Sequence, residues 1–240
     1  MSRDPVQHST PGGGHGLLPH ELPCSLCDSR ARPFVTVDAV AYWRCDTCGL
    51  TLMHPSHHLS HHAEKAQYDQ HDNRIDDPGY RRFLSKTVDP LLERLAPGAS
   101  VLDFGCGPGP ALAAMFDEAG HPTAVYDPYY APDTVPLSTQ YNAVACTEVV
   151  EHFASPREGF NQLASLLKPG GWLGVMTCLQ NDDAAFADWH YRRDPTHVCF
   201  YSAKTLEWIA QHYRWTLVRP HKDVALFHRP VDATSATVRP

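Results

Sequence analysis

The sequence predicts an α/β protein: a mostly parallel sheet covered on both faces, finished by an antiparallel last strand, with a small cysteine-paired unit ahead of it. Three observations lead there. Between residues 77 and 229, apolar strand-like runs alternate with helical periodicity. A glycine-rich turn, "GCGPGP", joins the first of these strands to its helix. Upstream stand two close cysteine pairs, Cys24 with Cys27 and Cys45 with Cys48.

Residues 1–20 mix Gly, Pro, His and Ser without apolar periodicity, and residues 230–240 do the same, so both tails are expected to be disordered. Residues 21–53 form a compact unit with a strand-like centre, "FVTVDAVAYWRC". A histidine-rich connector covers 54–76. From Asp77 the pattern is helical, with Leu91, Leu92 and Leu95 as its apolar side and Pro97-Gly98 as its stop. "SVLDFG" is a strand, "ALAAMFDEAG" a helix with a glycine cap, and "TAVYDPYY" and "NAVACTE" are further strands. The helix "SPREGFNQLASLLKPGG" leads into the strand "WLGVMTCLQ". After an aromatic and charged stretch comes the helix "SAKTLEWIAQHY" with Ser202 as N-cap, and then "WTLVRPH" and "VALFHR", close enough to pair antiparallel.

The formal charge is -7, from 20 Lys and Arg against 27 Asp and Glu, so the chain has no global basic footprint for long nucleic acid. No apolar run is long enough for a membrane helix and the first residues lack the apolar core of a secretory signal, so a cytoplasmic location is expected.

The two cysteine pairs are separated by seventeen residues, the spacing of a tetrahedral four-thiolate zinc site. With every ligand position filled by sulfur, that zinc is expected to be structural. The connector histidines His54, His57, His58, His61 and His62 could bind a transition metal, but a solvated polar linker explains the composition equally well.

The stretch from Asp103 through Gly105, Gly107 and Gly109 follows a strand and opens a helix, which suits a cofactor approaching backbone amides. An acid, Asp127, ends the next strand, where it could accept hydrogen bonds from both ribose hydroxyls of an adenosine group. Because the third glycine comes two residues after the second, the pattern departs from G-x-G-x-x-G. It resembles motif I of class I S-adenosylmethionine-dependent methyltransferases, over roughly residues 77 to 229 and including "LKPGGWLGVMT". The resemblance implies a Rossmann-like sheet, the loop from Gly105 to Gly109 around the methionine part of the cofactor, and Asp127 on the ribose. The expected cofactor set is Asp103, Gly105, Cys106, Gly107, Gly109, Asp127, Pro128 and Thr147. Only thirteen residues lie between Asp127 and Tyr141, so the helix and strand that normally intervene are expected to be abridged or absent, leaving the adenine contacts open. Less closely, "YDQHDNRIDDPGYRRFL" and "RRDPTHVCFYS" look like bacterial methyltransferases with an N-terminal zinc knuckle. Tyr68, His71, Asn73 and Tyr80 are candidates for the pocket wall, with aromatic packing and turn capping as the alternative.

In "TEVVEHF", Glu148 and Glu151 share a helix face if the segment is helical, and His152 follows at once. Two converging carboxylates call for a cation or a proton between them. The E-x-x-E-H run, with the later His197, resembles small-RNA 2′-O-methyltransferases, and the run alone resembles ubiquinone-pathway O-methyltransferases. In those families a divalent ion gathers the acceptor oxygens. The resemblance implies a second metal site of Glu148, Glu151, His152 and His197, holding Mg or another divalent ion, and an acceptor that is a diol, a catechol or an RNA terminal ribose. The alternative is that Glu151 and His152 only open the helix before Pro156 and Glu148 only contacts substrate. Two other readings stay open: metal-free N- or C-methylation with His190 or Tyr191 as base, and a non-catalytic cofactor-binding module docking a protein or RNA partner through the knuckle.

Overall fold

The structure is a computed structural model that describes residues 20–70 and 73–231. The expected disordered tails, apart from His20, Pro230 and Val231, and the candidate His71 lie outside the described residues. In chain order the elements are β1 (Leu22–Pro23), β2 (Arg30–Val37), β3 (Val40–Cys45), β4 (Thr51–Met53), α1 (His61–Tyr68), α2 (Pro78–Leu92), β5 (Val101–Phe104), α3 (Ala111–Glu118), β6 (Thr123–Tyr126), β7 (Tyr141–Thr147), α4 (Pro156–Ser165), β8 (Leu167–Met176), β9 (Cys199–Phe200), α5 (Ala203–Tyr213), β10 (Thr216–His221) and β11 (Val224–His228).

The larger sheet has the order β10-β11-β8-β7-β5-β6. Its pairs from β6 to β8 are parallel, and β11 runs antiparallel to both neighbours, so the antiparallel last strand is inserted between β8 and the edge strand β10. All four residues of β5 are buried, as expected for a parallel strand covered on both faces. The α2 helix is capped by Asp77, whose Oδ1 accepts the Tyr80 amide, and it lays Leu84, Val88 and Leu91 on one face of the sheet beside Phe116 of α3. On the other face, Phe160 and Leu163 of α4 and Leu206 and Ile209 of α5 fill the main core. Ser202 and Thr205 form a reciprocal capping box at the start of α5. As expected from the short spacing, residues between Asp127 and Tyr141 form no strand or α-helix, only an isolated bridge from Asp127 to Ala131 and a short 3-10 turn, Val135–Ser138.

Two expectations are corrected. The strand expected from Trp172 begins at Leu167, because Leu167 already pairs with Tyr141, and the ladder resumes at Trp172 opposite Ala143 after an irregularity. Here tertiary pairing overrides the turn signal of Pro169-Gly170-Gly171. The strand-like centre of the N-terminal unit is not one run but a hairpin, with Asp38 and Ala39 both at positive φ (52° and 65°), the conformation of the two-residue turn that matches strand twist.

The smaller sheet is antiparallel, in the order β1-β2-β3-β4-β9, and its last strand comes from far along the chain. Thr51 pairs with Phe200 and Leu52 with Cys199. Cys24, Leu26, Trp43 and Leu50 share one continuous core with Phe160, Leu163 and Tyr201. The cysteine-paired unit is therefore built into the molecule rather than appended to it.

Candidate active site

A cavity of about 1120 Å³ opens where the parallel strands end, the usual ligand position in an open α/β sheet. That is at or above the upper end of ordinary ligand pockets, enough for a cofactor and a small acceptor together. Gly105, Cys106, Gly107, Asp127, Pro128 and Thr147 line it, as expected. Gly105 and Gly107 adopt positive φ (79° and 64°), which only glycine does at little cost, and the turn presents backbone amides at the start of α3. Burial pushes the Cys106 thiol up to about 12, so it behaves as an apolar filler.

Asp127 organises this loop. Its Oδ2 accepts the Gly107 amide at 3.0 Å, while Oδ1 accepts those of Tyr129 and Tyr130 at 2.8 and 3.0 Å. Oδ1 is thus already filled, and the capacity left for a ribose hydroxyl is on Oδ2. Asp103 and Gly109 do not line the cavity. Asp103 lies beneath it, and burial raises its carboxyl to about 7. The space beside Gly109 is taken by the Asn73 backbone, since a Cβ there would stand 1.6 Å from the Asn73 carbonyl oxygen. Gly109 therefore seats the chain that enters α2.

His152 and His197 also line the cavity, and Glu151 lies beneath them, outside the lining; single ligand atoms of the three all lie within 4.8 Å of one another. The His152 Nδ1 stands 3.0 Å from the Thr196 carbonyl, and the His197 Nδ1 stands 2.7 Å from that of Tyr191. A carbonyl only accepts, so each Nδ1 carries a proton and Nε2 is the nitrogen through which the neutral ring would ligate, the tautomer that a metal-ligating histidine needs. Burial also keeps His197 below the usual imidazole range, and hence neutral. Glu151 is fully buried behind the two rings, and neither of its oxygens receives a hydrogen bond of good geometry. The Tyr191 and Thr177 hydroxyls approach it without good alignment, and a buried carboxylate so poorly satisfied is costly unless it is protonated or paired with a cation. The residues therefore fit a divalent ion with mixed N and O ligands.

Glu148, the fourth expected ligand, does not join this group. It adopts positive φ (52°) at the end of β7, and its Oε2 accepts the Tyr191 hydroxyl at 3.2 Å. Burial, followed by the charge of Glu151, raises its carboxyl to about 9. Tyr191 is poorly suited to act as a base, because burial raises its phenol well above the ordinary value and its hydroxyl is engaged with Glu148 and Thr177. His190 is exposed at the cavity rim.

The histidine-rich connector is more than a linker. Its α1 helix, N-capped by Ser60, covers one side of the cavity with Glu64 and Tyr68. Glu64 accepts the hydroxyls of Tyr68 and Tyr129 at 2.8 and 2.7 Å, and the Tyr68 ring meets that of His152 edge-on at 5.2 Å. Sequence reasoning missed Glu64, Tyr129 and Tyr130; Ser60 ahead of "HHAEKAQY" was the available signal for the helix. Tyr68, Asn73 and Tyr80 line the cavity. The connector histidines form no ligand group among the described residues.

In the N-terminal unit the four sulfurs also lie within 4.8 Å of one another, with Cys24 to Cys48 at 3.6 Å and Cys27 to Cys45 at 3.3 Å. A tetrahedral zinc with bonds of about 2.3 Å sets sulfurs about 3.8 Å apart, close to this arrangement. Hydrogen bonding from Cys48 lowers the Cys24 thiol to about 6, whereas burial raises Cys45 to about 11. Only a cation lets all four ionise together. The knuckle is clamped to α4 by Arg157, whose Nε donates to the Leu26 carbonyl at 2.9 Å and whose Nη1 pairs with Asp28 at 2.9 Å.

Comparison with known proteins identifies the family and the fold. Residues 77–219 match the family described as "Methyltransferase domain". The chain is 33% identical over 127 residues to the ubiquinone biosynthesis O-methyltransferase of Xanthomonas campestris pv. campestris, covering 42% of this chain and 52% of that protein. The same-named protein of Xylella fastidiosa is 31% identical over 121 residues, covering 40% and 46%. The chain thus spans about half the length of the curated relatives it matches. Among solved structures, the Burkholderia thailandensis 1,6-didemethyltoxoflavin-N1-methyltransferase, with 1,6-didemethyltoxoflavin and S-adenosylhomocysteine bound, aligns at a TM-score of 0.50 and 17% identity, covering 83% of this chain and 99% of that one. That likeness speaks for the fold alone. A family match over more than half of the chain, on a sheet of this order with its glycine loop and acid in place, means that the chain belongs to the methyltransferase domain family and has the class I S-adenosylmethionine-dependent methyltransferase fold.

Proposed function

We propose that the chain is an S-adenosylmethionine-dependent O-methyltransferase acting on a small molecule with neighbouring hydroxyls, a diol or catechol, with a divalent ion held by Glu151, His152 and His197. The observation that carries this reading is the fully buried Glu151 carboxylate, which receives no hydrogen bond of good geometry and has ligand atoms of His152 and His197, two residues of the cavity lining, within 4.8 Å. The net charge of -7 favours a small acceptor over RNA. We also assign a structural zinc to Cys24, Cys27, Cys45 and Cys48.

In this reading the Gly105–Gly107 amides and Asp127 orient the cofactor so that its methyl faces His152 and His197, which is catalysis chiefly by positioning. The cofactor supplies the methyl group: as the acceptor oxygen forms the new C–O bond, the C–S bond breaks and sulfur keeps the electron pair. The ion, when bound, supplies Lewis-acid stabilisation of the acceptor oxygen as it loses its proton. Tyr68, edge-on to His152, and Phe153 wall the acceptor space, and Tyr191 holds Glu148 beside it. His190 at the rim relays the acceptor proton to solvent.

The test is production of S-adenosylhomocysteine with a panel of catechols, aliphatic diols, amines and a short RNA, before and after EDTA and with Mg, Mn, Fe or Zn added back. Turnover of a catechol or diol that EDTA abolishes and metal restores is expected. Turnover of amines alone, or full activity without metal, would overturn the reading; turnover of RNA alone would move the acceptor to a terminal ribose.

A further inference from the structure

We infer that the zinc knuckle is a positioning device for the second metal site: through β4 and β9 it sets the geometry of Glu151 and His197, while leaving the cofactor loop independent of it. This rests on the metal reading above. The connection is continuous in the backbone. The Cys45 amide donates to the Leu50 carbonyl at 2.9 Å, closing the knuckle, and the chain passes directly into β4. Thr51 and Leu52 pair with Phe200 and Cys199, and the Met53 amide donates to the Val198 carbonyl at 2.8 Å. Val198 in turn donates its amide to the Glu151 carbonyl at 2.9 Å and follows His197 directly.

Side chains reinforce the same path. The Cys199 thiol donates to the Val150 carbonyl at 3.3 Å and lies 3.6 Å from those of Glu151 and Phe153. The Tyr201 hydroxyl donates to the Val150 carbonyl at 3.0 Å. Thr51 Oγ1 donates to Gln180 Oε1 at 2.7 Å, and the Gln180 amide donates to the Tyr201 carbonyl at 2.7 Å. The three-residue turn that carries Glu151 and His152, residues 150–152, is thus held from behind by β9, and β9 finds its strand partner in β4. A two-residue strand has little stability of its own. The β4 strand is three residues long and follows the knuckle at once, so its course depends on four sulfurs gathered by one ion. By contrast, the cofactor loop is anchored by the strand pairings of β5 and β6 and by Asp127 in the other sheet; these pairings and hydrogen bonds do not pass through the knuckle, with which β5 shares only apolar core at Leu102 and Phe104.

The test compares the wild type with Cys45→Ser, which removes one thiolate, and with Cys199→Ala, which keeps all four. Three quantities are measured: zinc content, Mn2+ affinity by electron paramagnetic resonance, and amide exchange of residues 150–153 and 197–200. Manganese is chosen because thiolates disfavour it, so it reports the N and O site. Calorimetry with S-adenosylmethionine is the control for folding. Cys45→Ser is expected to lose zinc, weaken Mn2+ binding by about 10- to 100-fold and speed exchange in both segments, with cofactor affinity unchanged. Cys199→Ala is expected to keep its zinc and still bind Mn2+ more weakly. Mn2+ affinity and exchange unchanged in zinc-free Cys45→Ser would overturn the inference. If Cys45→Ser does not fold, unchanged values in Cys199→Ala overturn it. If wild type binds no Mn2+, the metal reading fails on its own, and the exchange rates alone decide whether the knuckle positions this turn.

Discussion

The carbonyl oxygen of Asn73 stands where a side chain at Gly109 would have to begin, 1.6 Å from the ideal Cβ. Backbone cannot yield as a flexible side chain can, so Gly109→Ala must displace the chain leading into α2. A loss of about 1–3 kcal/mol in stability is expected, the range for inserting a methyl into a packed site. Gly107→Ala meets nothing closer than 3.6 Å and instead meets the cost of positive φ, roughly 1–2 kcal/mol. Urea denaturation of both variants checks this; wild-type stability in Gly109→Ala would mean that Asn73 does not sit there.

Asp127 joins three backbone amides to the cofactor side of the pocket. Replacing it by alanine leaves the Gly107 amide without its acceptor and removes the remaining capacity for a ribose hydroxyl. S-adenosylmethionine affinity is expected to fall by about 1.5–3 kcal/mol, the range for charge-assisted hydrogen bonds. Calorimetry measures it, and an unchanged dissociation constant would remove Asp127 from the cofactor site.

Glu151 gives a prediction that needs no substrate. A cation that binds only the folded state stabilises wild type by about 2.7 kcal/mol at a hundredfold excess over its dissociation constant. Glu151→Gln keeps the shape and loses the charge, so it should be more stable than wild type in EDTA and gain nothing from Mn2+. Thermal unfolding with and without the ion reads both effects; equal stabilisation of the two proteins would place the ion elsewhere.

Asp103 sets a pH dependence away from the metal residues. Its carboxyl is raised from 3.8 to about 7 by burial. The folded state therefore holds the proton more tightly than the unfolded one. Asp103 contributes its full stability below about pH 4, and this is lost as pH rises through about 7, a decline on the order of 4 kcal/mol. Asp103→Asn cannot ionise, so its stability relative to wild type should grow between pH 5 and pH 8. Parallel urea curves at the two values decide it, and a constant difference would show that Asp103 ionises freely in the fold.

Much of this molecule was legible along the chain because the relevant physics is local. The cysteine spacings place two thiolates in each turn whatever surrounds them. The glycine loop and Asp127 follow from strand, turn and helix signals within a few residues, and Ser202 announces α5 through its own hydrogen bonds. The short span from Asp127 to Tyr141 implied a helix and strand abridged or absent, and a short 3-10 turn stands there. In the E-x-x-E-H run, residue types marked a place of converging charge.

The tertiary structure decided which of those groups act together. Glu148 and Glu151 are three residues apart, yet a positive φ at Glu148 turns it to Tyr191 and leaves Glu151 with the histidines. That the Asn73 backbone packs against Gly109 is likewise a long-range contact with no signal along the chain. The α1 helix hides in a polar histidine-rich stretch because its partners, Tyr129 on one side and His152 on the other, come from distant segments. The pairing of β4 with β9 joins residues nearly 150 positions apart in sequence, and a three-residue strand carries too little alternation to name its partner. Composition and spacing determined the parts, because caps, turns and ligand pairs are made by neighbours; long-range pairing determined their assembly, because backbone hydrogen bonds between strands are the same for every side chain and only packing selects among them.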